Sequence, residues 1–334
     1  MSMFVPRLPL QDLALAPTSL TSYNRSLHNF LTHSRLTPQQ LLTEPAMRLD
    51  RLLAVFMQHS FDMTSPFTYA AHALHAVIYH RPDVKLQLFI SRQCLKGWER
   101  VKKTASHPPL TWELTVAMAC WLARSGSFAP AVAMLVAFDC YLRVGEPTRI
   151  RLRDVVMPND ARMGDAHTGM AVCLARTKTG LNQSVALHRP AVAAVLCGWV
   201  RSIQSGCHRD DNPLIFPFSA SRLRHLMRAA CVHFGVGHIA YVPHSLRHGG
   251  ATADFLLTGS IERVQFRGRW KSMESVRTYV QTARALLAAQ AVPAALNALG
   301  KQLGAELVPV MAHFLSVTPP APLRGRDRRV TFHL

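Results

Sequence analysis

The side chains best suited to chemistry are concentrated in Val242 to Tyr279, VPHSLRHGGATADFLLTGSIERVQFRGRWKSMESVRTY. His244 and Arg247 stand three apart, so on a helix start they share one face. Trp270 and Tyr279 follow, nine residues apart. Upstream, Leu142-Arg143-Val144-Gly145-Glu146 carries a second arginine, and Lys178 lies between two apolar runs. These residue types suit transfer of a phosphodiester. Displacement at phosphorus puts negative charge on two non-bridging oxygens, which guanidinium groups clamp bidentately without ever losing their charge. Arg143 and Arg247 are candidates for that clamp, a preorganised set of donors. Tyr279 is the candidate nucleophile; a phenol with a reference pKa of about 10 reacts poorly until cations stabilise the phenolate. Lys178 is the candidate acid for the leaving oxygen. His244 would donate to the phosphate or shuttle a proton. Trp270 would support Tyr279 and offer its indole N–H.

Each assignment has a competitor. Arg149, Arg151 and Arg153 follow Arg143 closely, but the L-R-x-x-E context singles out Arg143. Arg176 could replace Lys178, although the turn position favours Lys178. Glu146 is read as orienting its neighbours and His248 as structural. Tyr141 and Tyr241 are hydroxyl-bearing too, but neither stands at the right distance from the H-x-x-R segment.

H-x-x-R, then G-R-W, then Tyr nine residues on, resembles the catalytic box of the tyrosine recombinase (phage integrase) family. L-R-x-x-E ahead of a β-hairpin is similar to that family's first arginine segment, and T-K-T is similar to its catalytic lysine. Trp270 stands where the family more often has His. H-S-L-R-H-G-G-A-T looks closer to eukaryotic mobile-element members than to bacterial ones. The resemblance implies a DNA strand transferase. Tyr279 would form a 3′-phosphotyrosyl link, Lys178 would protonate the leaving 5′ oxygen, and the partner strand's 5′-hydroxyl would rejoin the break. It further implies double-stranded DNA as partner and a homo-tetramer on two DNA sites. No cofactor, metal, membrane or small-molecule substrate is expected. Two other readings compete: a catalytically silent DNA-binding protein derived from a recombinase, and a nicking-closing enzyme like type IB topoisomerases. All six site residues, in order, argue against the first. A helical N-terminal region and the short Trp-to-Tyr interval argue against the second.

Elements must position these residues. Residues 1–17 are punctuated by Pro and read as a flexible arm. Apolar periodicity predicts helices over Thr18 to Ser34, Ala46 to His59, Pro66 to Tyr79 and Val84 to Val101. Residues 18–104 therefore read as a helical bundle, similar to the family's core-binding domain. Residues 105–110, with Pro108 and Pro109, read as a linker. Residues 111–290 read as a catalytic domain. It opens with helices at Thr111 to Ser125 and Ala129 to Tyr141, continues with strands at Thr148 to Met157, Met170 to Thr177 and Ser184 to His188, and is helical again from Pro190. Residues 291–316 read as one C-terminal helix with an apolar stripe of Leu296, Leu299, Leu303, Leu307 and Val310, which exchange between subunits could cover. Residues 317–334 read as a basic, disordered tail. The expected fold class is mainly α with a small antiparallel sheet, two domains forming a clamp around DNA.

Bulk composition agrees. The 334 residues include 38 Lys and Arg against 19 Asp and Glu, a net charge of +19 that calls for a polyanionic partner. Seven cysteines at wide spacings, without a C-x-x-C pair, read as free thiols in a reducing compartment. No secretory signal is legible, so the expected location is intracellular: nucleus in a eukaryote, cytoplasm otherwise.

Overall fold

The structure, a computed structural model, describes residues 14–101, 107–158, 160, 169–177, 180–207 and 212–317. The chain divides into two compact units, residues 1–105 and 106–334. It is mainly helical, with one three-stranded antiparallel sheet. No helix among the described residues is long and apolar enough to cross a membrane. The expected tail, most of the expected arm, and residues 105–106 of the expected linker lie outside the described residues.

Among the described residues the first unit is a bundle of five helices: α1 (Pro17–Ser34), α2 (Pro38–Thr43), α3 (Ala46–Asp62), α4 (Phe67–His80) and α5 (Phe89–Val101). Its core holds Leu27, Phe30, Leu49, Leu53, Phe56, Leu74 and Trp98. Helix α2 was not foreseen. Its signal is Thr37-Pro-Gln-Gln40: the Thr37 hydroxyl accepts from the Gln40 N–H, and Gln40 Oε1 accepts from the Thr37 N–H at 2.8 Å, a capping box with Pro at the first position. The expected helix from Val84 begins only at Phe89. A tertiary contact sets this start: the buried Asp50 carboxylate of α3 accepts the N–H groups of Ile90 (2.8 Å) and Ser91 (2.9 Å) and the Ser91 hydroxyl (2.6 Å).

The second unit is built around α6 (Trp112–Arg124) and α7 (Phe128–Asp139). Helix α7 is apolar on nearly every side and buried along most of its length, as a central helix must be. The sheet follows: β1 (Val155–Val156), β2 (Ala171–Thr177) and β3 (Gly180–Ala186), in that spatial order. Strand β1 is far shorter than the run expected from Thr148. The Asp154 carboxylate accepts the Arg151 N–H (2.8 Å), and Asn212 Oδ1 accepts the Arg153 N–H (2.9 Å). These side chains compete for the backbone and wind it into 3₁₀ turns. Strand β3 begins at Gly180 and not at Ser184.

Among the described residues, six helices then precede a C-terminal pair: α8 (Pro190–Gln204), α9 (Ala220–His233), α10 (Pro243–Thr258), α11 (Ile261–Gly268), α12 (Met273–Tyr279) and α13 (Thr282–Ala291). Then α14 (Ala294–Ala305) and α15 (Leu307–Val317) replace the single helix expected over 291–316. The break at Glu306 puts Pro309 in the first turn of α15, where a missing N–H costs nothing. Leu296, Leu307 and Met311 are buried in the core of their own unit. Gly300 lies on the backbone of Glu113, where a Cβ would come within 2.3 Å of the carbonyl oxygen. The expected linker also ends inside this core: Leu110 is buried, and its N–H donates to the Ser245 carbonyl at 3.0 Å.

Candidate active site

Arg247 lies at the centre. It sits on the second turn of α10 and is completely buried. Helix α10 approaches closely because its Gly249 and Gly250 leave no room for side chains. A Cβ at either would stand 2.0 Å from a backbone oxygen, that of Leu110 or of Phe138. The guanidinium donates to the Tyr141 carbonyl and, at 2.8 Å, to that of Gly268. It stacks over Trp270, 4.2 Å from the ring centroid, and stands 5.1 Å from that of Tyr279. No described carboxylate pairs with it. Burial, then the neighbouring Arg143 and Arg269, pull its pKa down to about 9, so it still carries its charge at neutral pH.

Tyr279 closes α12 and is half-buried in a ring of site residues. Its ring lies 4.8 Å from Trp270, 5.4 Å from His244 and 4.7 Å from His248, all centroid to centroid. Trp270 reaches it by folding back over Gly268, whose missing Cβ would fall 1.6 Å from the indole. That is the physical content of G-R-W. The buried Trp270 indole N–H has no partner among the described residues. His248, read from sequence as structural, stacks on Tyr279 with an interplanar angle of 23°.

His244 and His248 are both held neutral. Burial, followed by Arg247, His107 and Arg143, lowers His244 to about 4. Burial and then His244 lower His248 to about 4. His107, assigned by sequence to the linker, places its ring 6.4 Å from that of His244.

Arg143 follows α7 and remains partly exposed, at 20% of its side-chain surface. Glu146 holds it twice, accepting the Arg143 backbone N–H at 2.8 Å and its guanidinium at 3.0 Å. Glu146 also accepts from Arg269 at 2.9 Å. Burial pushes its carboxyl up, but Arg269 and Arg143 outweigh that and hold it below the usual carboxylate range. Lys178 and the side chain of Arg176 lie outside the described residues. The strands flanking Lys178 are placed: Thr177 pairs with Gly180, and Cys173 to Ala175 of β2 line a 130 Å³ cavity together with Glu146.

Of the two competing tyrosines, Tyr141 is engaged in a separate polar network and Tyr241 is buried. The buried Tyr141 hydroxyl donates to Asp254 at 2.5 Å and accepts from Arg267 at 2.6 Å, and burial raises its pKa. Burial pushes Tyr241 up to about 12. Sequence reading missed the network of Tyr141, Asp254, Arg267 and Asp139. A signal existed in Asp139, an acid at the end of an apolar helix; it accepts the His188 N–H at 2.8 Å. Arg269 was missed too, hidden inside the G-R-W motif.

Among the described residues, no group of three or more His, Cys, Asp or Glu is placed to hold a metal ion. All seven cysteines are free thiols. Burial pushes Cys120 up to about 12 and Cys231 up to about 11, so neither is a ready nucleophile.

No protein-family model matches the sequence, and no curated protein matches it either. Solved structures do. A lambda integrase dimer bound to a COC′ core site is similar over 82% of this chain and 75% of that one, with a TM-score of 0.53 and 15% identity. Lambda integrase bound to DNA is similar over 82% of this chain and 91% of that one, with a TM-score of 0.50 and 16% identity. This protein has the fold of the tyrosine recombinases.

Proposed function

We propose that this protein cuts and rejoins double-stranded DNA as a site-specific recombinase, with Tyr279 as nucleophile. The observation that carries the reading is Arg247, a fully buried guanidinium that meets carbonyls and rings but, among the described residues, no carboxylate. A buried charge without a counterion is costly, and an anion beside Arg247, Arg143 and Tyr279 would remove that cost. A scissile phosphate is such an anion. Arg143 and Arg247 would clamp its non-bridging oxygens. Neutral His244 can take the phenolic proton as Tyr279 attacks phosphorus, and the Trp270 N–H can donate to a phosphate oxygen. The bond to the 5′ oxygen breaks, and Lys178 supplies its proton. Rejoining by the partner strand's 5′-hydroxyl conserves the ester energy, so no nucleotide cofactor is required. Four copies on two DNA sites would exchange both strands.

The test uses a library of random-sequence duplexes and recovery of adducts that survive SDS. The wild-type protein should yield covalent adducts at preferred sequences. Tyr279→Phe should bind the same DNA within about twofold and yield none, because one hydroxyl is all it lacks. Adducts from that variant would move the nucleophile elsewhere. Binding without adducts in the wild type would favour the silent DNA-binding reading. Relaxation of plasmids regardless of sequence would favour the topoisomerase reading.

A further inference from the structure

We propose that Arg269 is a positioning residue of the phosphate clamp: it draws the charge of Glu146 away from Arg143, leaving Arg143 free to act as a cation. The inference rests on the reading of the site as a phosphodiester-transfer centre.

Glu146 is the one carboxylate that touches this cluster among the described residues, and two arginines share it. Arg143 takes Oε1 at 3.0 Å; Arg269 takes Oε2 at 2.9 Å. Were Glu146 paired with Arg143 alone, the pair would be neutral and only Arg247 would face an incoming phosphate with net charge. With Arg269 present, three guanidiniums and one carboxylate leave two positive charges. A phosphodiester carries one negative charge and its pentavalent transition state two, so the cluster is matched to the transition state and not to the ground state.

Arg269 is an expensive choice for a merely structural ion pair. It ends α11 in the left-handed region, at φ 57°, a cap position where glycine is least strained. Its side chain is 6% exposed, with Nε and Nη1 buried and without partners among the described residues. Burial, opposed by Glu146, lowers its pKa. Strain, desolvation and unpaired donors all oppose this residue here, whereas glycine would relieve all three.

The experiment follows adduct formation by the full-length protein under single-turnover conditions, with DNA affinity and melting temperature measured alongside. Arg269→Gly should bind DNA within about twofold of wild type but form adducts about ten- to a hundredfold more slowly, the scale of loss when a reacting group is misplaced. Arg269→Lys, which keeps the charge, should lose less. The decisive variant is Arg269→Gly combined with Glu146→Gln. An uncharged Gln no longer neutralises Arg143, so the double variant should react at least about tenfold faster than Arg269→Gly alone. If Arg269→Gly melts below the assay temperature, Arg269→Gln with and without Glu146→Gln makes the same comparison. Arg269→Gly reacting at the wild-type rate, or a double variant no faster than the single, overturns the role of Arg269 while the wild-type adduct keeps the catalytic reading intact. A wild type that forms no adduct overturns both.

Discussion

At the scale of single residues, the site is arranged by what it excludes. Gly268 exists so that Trp270 can lie against Tyr279. Gly268→Ala should expel the indole and slow adduct formation by about a hundredfold, with DNA affinity retained; a single-turnover assay at wild-type speed would show that the indole is dispensable. The two depressed histidines carry a second consequence. His244 and His248 have folded pKa values of about 4 against an ordinary 6.5. Between those values the unfolded chain binds protons that the folded chain refuses, so stability rises with pH there. The full contribution is present above about 6.5 and is lost as pH falls toward 4. Urea unfolding at a series of pH values should show this slope, and His244→Gln with His248→Gln should flatten it. An unchanged slope in the double variant would place the acid sensitivity elsewhere.

At the scale of elements, close approach and tertiary capping decide where helices sit. Helix α10 buries Arg247, with His244 partly exposed beside it, through the close approach of its two glycines, and Asp50 sets the start of α5 from another helix. The C-terminal pair α14 and α15 is covered by its own unit. Exchange of this segment between subunits would first have to release Leu296, Leu307 and Met311 from that core. Truncation after Ala289 should therefore abolish cooperative unfolding of the second unit, and Leu307→Ala should cost about 2–5 kcal/mol, as large-to-small core substitutions do. Calorimetry checks both. A truncated protein that melts normally yet fails to assemble on paired DNA sites would instead establish exchange.

At the scale of the whole molecule, charge is the dominant feature. A net +19 on 334 residues is tolerable beside a polyanion. Affinity for duplex DNA should fall with salt at a slope of about −0.9 per neutralised phosphate. Adduct formation should survive EDTA, since guanidinium and ammonium groups would do the work of metal ions at the phosphate. A flat salt dependence, or activity lost in EDTA and restored by Mg²⁺, would contradict the proposed chemistry.

Sequence alone determined the mainly helical class and the order of the candidate site residues, because both reside in local spacing. His244 and Arg247 share a face through the pitch of one helix, and Trp270 and Tyr279 are joined by one short helical segment. Apolar periodicity marked most helices for the same reason. Tertiary structure decided everything that depends on partners distant in the chain. The shortness of β1 follows from Asn212, and the start of α5 from Asp50. The burial of Arg247 without a counterion depends on carbonyls at Tyr141 and Gly268. The sharing of Glu146 by Arg143 and Arg269 joins groups more than a hundred residues apart, |i−j| = 123 for the longer bond. No periodicity encodes such a pair, because charge balance at a site is set by what the fold brings within a few ångströms and by how little water remains to screen it.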